Sequence, residues 1–144
     1  IEEKSLGAIS KGGSRPIQDV LEYGERPTGQ GLCIVDTPGR EPEHLTALAA
    51  CQAQVVVFTT GLGAPQGFPF VPVIKVTGNP ETSRNLAEHI DLFVDPRGKS
   101  TAGIQAAGEA LYREILAVAS GKRTRAEALG YGGFPNIYTI GPVI

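Results

Sequence analysis

Val55-Val56-Val57-Phe58-Thr59-Thr60-Gly61-Leu62-Gly63-Ala64-Pro65-Gln66-Gly67-Phe68-Pro69-Phe70-Val71-Pro72-Val73-Ile74-Lys75-Val76-Thr77 is the stretch on which the reading of this chain turns. A short β-branched run, Val55 to Phe58, opens it, and a second apolar run, Val71 to Val76, closes it. Runs of this length and composition, bounded by turn residues, read as buried strands. The loop between them is rich in Gly, Pro and hydroxyl groups. Glycine at 61, 63 and 67 lets the backbone turn through positive φ or approach a ligand closely. Thr59 and Thr60 fall where the first strand ends, so they face the crevice in which open α/β sheets bind small molecules. The same residues also satisfy the geometry of a plain connecting turn. Taken alone, the stretch supports either reading.

Working outward, Leu32 to Val35 reads as another buried strand, closed by Asp36-Thr37-Pro38-Gly39. A helix is expected from about Pro42 to Gln52, with Leu45, Leu48 and Ala49 on one face. After the central stretch, Asn79 fits an N-cap and Pro80 the first position of a helix reaching about His89. Leu92 to Val94 is a short strand ended by Asp95-Pro96-Arg97-Gly98. The longest helix is expected over Ser100 to Ser120, where Ile104, Ala107, Leu111, Ile115 and Val118 form an apolar stripe. Thr124-Arg125-Ala126-Glu127 has the pattern of a capping box. Toward the start, Ile1 to Ser10 is helix-like. Ser14, Pro16 and the Ile17, Val20, Leu21 stripe predict a further helix closed by Gly24. Phe134 to Ile144 reads as an edge strand or an ordered tail.

Apolar strands alternating with helices imply an α/β, three-layer Rossmann-like domain with a short, mostly parallel sheet flanked by helices. The 144 residues suit a single domain, 1–144. Hydrophobic residues make up 41% of the chain and charged ones 19%, a globular composition. A net charge of -2 offers no footprint for nucleic acid or an acidic membrane. No apolar run approaches the ~20 residues needed to span a bilayer. The absence of Met and the start at Ile1 point to a fragment of a longer chain. Cys33 and Cys51 read as small buried hydrophobes, and a cytoplasmic location is expected.

The strand ends share one rim in such a sheet. It gathers hydroxyls (Thr37, Thr59, Thr60, Thr77), the amide of Asn79 and the cations Lys75, Arg97 and Lys99. That set suits a small polyhydroxylated or carboxylated anion. Arg97 and Lys99 read as solvated loop charges. Lys75 lies between Ile74 and Val76 in an apolar strand, so its head has to reach the rim or a partner. Gly61-Leu62-Gly63 lacks the third glycine of a dinucleotide fingerprint. His44, read as a first-turn surface residue, and His89, read as a helix C-terminal residue, form no metal spacing. The rim carries no visible acid, base or metal cage.

Several pieces, taken in order, resemble the C-terminal part of the altronate/galactarate dehydratase family, which includes sulfolactate sulfo-lyase relatives. They are Glu2 to Gly7, Lys11-Gly12-Gly13, Asp19 to Gly24, Phe58-Thr59-Thr60-Gly61-x-Gly63-x-Pro65, Val71-Pro72-x-Ile74-Lys75 and Val118 to Lys122. The resemblance implies the C-terminal domain of a bacterial lyase that removes water from an aldonate or aldarate to give a 2-keto-3-deoxy acid; the alternatives are a sulfo-lyase acting on sulfolactate and a non-catalytic structural or oligomerisation domain. It implies a divalent metal, iron or manganese, in the full-length enzyme, with ligands outside this chain. Lys11, Thr59, Thr60 and Lys75 match the family pattern and, with Gly61, Gly63 and Asn79 of the rim, are the expected substrate-binding residues. Expected partners are a small-molecule sugar acid and the rest of the same polypeptide or a partner subunit, with homodimerisation open. Phe68 and Phe70, in a bulkier insert than the family pattern, are expected to narrow or reshape the pocket.

Overall fold

The computed structural model describes residues 6–7, 10–95 and 100–139. Its elements follow the order β1 (Ile17–Leu21), β2 (Leu32–Val35), α1 (Glu41–Ala50), β3 (Val56–Thr59), β4 (Val73–Thr77), α2 (Pro80–Asn85), β5 (Leu92–Phe93), α3 (Thr101–Ala119) and α4 (Arg125–Ala128). Residues 6–7 and 10–11 are also helical. The fold is α/β, with short parallel sheets flanked by helices. β3, β4 and β5 form a three-stranded parallel sheet with β4 central. β1 and β2 form a separate parallel pair, so the single sheet expected from the sequence is split in two.

β4 is buried along its whole length and carries a core on each face. On one side Val73 packs with Val56, Leu45 of α1, Phe68 and Val71. On the other, Ile74 and Val76 pack with Val118, Leu111 and Ile115 of α3. Alternation along a strand produces this division, because successive side chains point to opposite faces. The α2 start is as the sequence predicts: Asn79 Oδ1 accepts from the Glu81 N–H at 3.0 Å, with Pro80 in the first turn. The predicted capping box also forms. Thr124 and Glu127 exchange hydrogen bonds at the start of α4, and Thr124 is fully buried. The β3–β4 connection crosses without a helix, as expected.

Ile17–Leu21 is a strand, where a helix was predicted. An apolar stripe of three residues over five positions fits either period. The decision falls to the parallel ladder with Leu32–Val35, which pairs the backbone. Within β1 only Leu21 is buried. α2 ends at Asn85, short of His89. Residues 131–139 form no helix and join no ladder. They are tied down where the Asn136 N–H donates to Thr46 Oγ1 at 3.1 Å and the Tyr138 ring sits 6.0 Å from Tyr23. Positions 140–144, Arg97, Lys99 and most of the 1–10 helix expectation lie outside the described residues. Phe68 is buried in the core against α1, and Phe70 is 73% exposed. Neither reaches the crevice described next, because the loop folds Phe68 inward to cover Val56 and Val73.

Candidate functional site

A crevice of about 850 Å³ opens at the C-terminal ends of β3 and β4, on the face covered by α3. Thr59 and its register partner Val76 form part of its floor. Thr60, Gly61, Gly78 and Asn79 supply the polar rim. Ile104, Ala107, Gly108 and Leu111 of α3 form an apolar wall, and Lys11 brings a cation to the same space.

Hydrogen bonds from β4 and α2 shape the rim loop. The Thr60 N–H donates to the Val76 carbonyl at 2.9 Å, extending the sheet by one residue. Thr60 Oγ1 accepts from the Gly63 N–H at 3.0 Å. Thr77 Oγ1 donates to the Thr60 carbonyl at 2.7 Å. The Gly61 carbonyl accepts twice, from Asn79 Nδ2 at 3.0 Å and from Thr82 Oγ1 at 2.7 Å. Both ends of the Asn79 amide are therefore occupied within the protein, while Thr59 Oγ1 is left to the crevice.

The expected site residues thus divide. Lys11, Thr59, Thr60, Gly61 and Asn79 line the crevice, and Gly63 and Lys75 do not. Gly63 has φ +95 and rests on α2, where an added Cβ would come 2.2 Å from Leu86 Cδ1. Lys75 points to the α1 face. Its ammonium is wholly buried, ion-paired to Glu41 and 4.2 Å from the centroid of the Phe58 ring. It has therefore found the partner its apolar strand demanded. Burial pushes its pKa down, and the Glu41 hydrogen bond and charge oppose that shift. Beside this pair lies a smaller hollow of about 260 Å³ bordered by Gly39, Glu41, His44 and Phe58. His44 is half-buried, not on the surface as predicted, with Nδ1 2.5 Å from Thr37 Oγ1. Burial holds its pKa below 6.5, against the pull of Glu41.

The α3 wall was not foreseen, since Ile104 and Ala107 read as core. Ile104 is 66% exposed, because only the C-terminal half of the α3 stripe packs on the sheet. Gly108 was the available signal. A glycine inside a helix costs roughly 1 kcal/mol relative to alanine, and a Cβ there would meet nothing within 4 Å. Among the described residues no three His, Cys, Asp or Glu side chains come together. These residues therefore supply no ligand set for the divalent metal that the resemblance implies.

The arrangement defines an α/β domain with hydroxyls, a side-chain amide and one cation around a crevice at the ends of parallel strands. The chain belongs to the D-galactarate/altronate dehydratase, C-terminal family, whose model matches residues 1–140. It is 42% identical over 135 residues to the (2R)-sulfolactate sulfo-lyase subunit beta of Chromohalobacter salexigens, covering 93% of this chain and 35% of that protein. It is 37% identical over 123 residues to the galactarate dehydratase (L-threo-forming) of Escherichia coli, covering 85% of this chain and 24% of the relative. To the altronate dehydratase of Bacillus subtilis it is 47% identical over 91 residues, 63% of this chain and 18% of the relative. The chain thus spans about a third or less of the length of these relatives. They are named as dehydratases and a sulfo-lyase, which makes the family one of lyases. No described helix is long and apolar enough to cross a membrane.

Proposed function

We propose that this chain is the C-terminal domain of a lyase that eliminates water from a sugar acid such as altronate or galactarate, yielding a 2-keto-3-deoxy acid. The observation that carries the reading is the meeting of Lys11, Thr59, Thr60, Gly61 and Asn79 on one crevice at the strand ends. Such a β-elimination needs a base for the proton α to the carboxylate and stabilisation of the developing negative charge. The crevice residues suit the holding of substrate and charge. The base, and the divalent metal that would act as Lewis acid, belong in this proposal to residues outside the chain.

A second reading is supported by the relative named as a sulfo-lyase, which aligns with 93% of this chain. Here the leaving group is sulfite and the substrate (2R)-sulfolactate. Assaying the full-length protein with altronate, galactarate and (2R)-sulfolactate separates the two. Thr60→Ala and Lys11→Ala are each expected to lower kcat/KM by ~10²-fold, the scale of removing one transition-state donor. Unchanged kinetics in both variants would remove the crevice from the reaction. The 144-residue chain alone is expected to show no turnover.

A further inference from the structure

Leu32-Cys33-Ile34-Val35 of β2 is an unbroken apolar run. Such a run belongs to a parallel strand covered on both faces, whereas a strand with one wet face alternates apolar and polar residues. The ladder with β1 sets Leu21 beside Val35 and Asp19 beside Cys33 on one face. It sets Val20 beside Ile34 and Ile17 beside Leu32 on the other. The first face is covered. Leu21 is buried, and Cys33 and Val35 border a cavity with Cys51 and Ala53, just past α1. The paired residues of the second face are all aliphatic, yet Val20, Ile17 and Ile34 are 64%, 49% and 44% exposed.

Packing elsewhere does not compensate. Among the described residues neither hydrophobic core includes a side chain of β1 or β2. Two strands alone are marginal and gain stability from further strands or from a packed helix. The outer face of β1 and β2 therefore lacks its second layer, and in parallel sheets that layer is helical. The relatives carry length for it: the matched region is 35% of the sulfo-lyase subunit and 24% of the galactarate dehydratase. A second copy of the chain is the poorer fit. The face belongs to one strand of 5 residues and one of 4, well short of the roughly 20–30 residues a side in a stable interface. A tethered partner needs less area, because the chain itself sets its effective concentration.

We infer that Ile17, Val20, Leu32 and Ile34 form the docking site for an apolar helix face supplied by the same polypeptide outside these 144 residues. The docked helix gives β1 and β2 the cover on both faces that β4 already has. The assignment holds whichever acid the crevice takes.

The test uses the full-length polypeptide carrying Val20→Cys or Ile34→Cys, labelled with a maleimide and read peptide by peptide by mass spectrometry. A covered thiol reacts only through local opening, so labelling is expected to run at least about tenfold slower than in the urea-unfolded protein. Dilution that dissociates oligomers is expected to leave this protection in place. Rates within about tenfold of the unfolded protein overturn the site. Protection lost on dilution assigns the face to a second copy, and protection that requires a different polypeptide assigns it to another subunit. Either result overturns the inference. Hydroxyl-radical oxidation of Val20 and Ile34 in the wild-type protein reads the same exposure without a substitution. Oxidation at the unfolded rate overturns the inference even if both cysteine variants fail to fold.

Discussion

At the scale of single residues, the buried pair of Lys75 and Glu41 makes an asymmetric prediction. Lys75 is wholly buried, whereas the Glu41 side chain keeps 19% exposure. Glu41→Gln leaves the buried ammonium beneath Phe58 with only the more distant Asp91 charge to offset it and is expected to cost about 3 kcal/mol, near the low end for breaking a buried pair. Lys75→Met leaves a carboxylate that water can reach and fills the strand with an apolar side chain, so its cost is smaller. Denaturant midpoints of the two variants measure the difference, and equal costs would contradict the burial argument.

His44 predicts a pH dependence. Its folded pKa lies below the ordinary 6.5 because burial disfavours the imidazolium. Between the folded value and 6.5 the unfolded chain binds the proton and the folded one does not. Stability is therefore lost as pH falls through this window and regained as it rises. Replacing His44 with Gln is expected to flatten that part of the curve, measured as Tm against pH. Glu41, facing His44, opposes the shift, so Glu41→Gln should steepen the loss.

Within elements and loops, two glycines two positions apart behave differently. Gly63→Ala places a Cβ at φ +95 and 2.2 Å from Leu86 Cδ1. Destabilisation by about 1–3 kcal/mol is expected, visible as a lower Tm, whereas Gly61→Ala leaves Tm in place and acts on binding. The capping box of α4 is a second local device. Thr124 is buried and bonds Glu127 through its side chain and backbone. Thr124→Ala should cost about 1–2 kcal/mol, and a Tm equal to wild type would mean that packing alone holds α4.

For the whole molecule, large apolar side chains stay exposed on α3 and on the 131–139 segment. Along α3, Ile104, Tyr112 and Leu116 are 66%, 62% and 49% exposed, and Phe134 and Ile137 of the 131–139 segment are 80% and 74% exposed. Large exposed apolar side chains are candidates for contact with other protein, and the relatives carry most of their length outside the matched region. The isolated 144-residue chain is expected to self-associate with rising concentration. Leu116→Glu together with Tyr112→Glu should shift it toward monomer in sedimentation measurements. A monomer at all concentrations would show that this surface needs no cover.

The amino-acid sequence by itself determined the strands β2 to β5, the helices between them, both caps and the class of fold. These depend on local period, turn chemistry and side-chain preference, which are written in neighbouring residues. It also placed Thr59, Thr60 and Gly61 at a strand end. Tertiary structure decided the rest. Ile17–Leu21 became a strand because a distant segment offered a ladder. Lys75 turned from the crevice because the parity of β4 aims it at Glu41, 34 positions away in sequence. Ile104 and Gly108 became a crevice wall because only the C-terminal half of α3 packs on the core. Each of these outcomes rests on long-range pairing, and no window of neighbouring residues contains both partners.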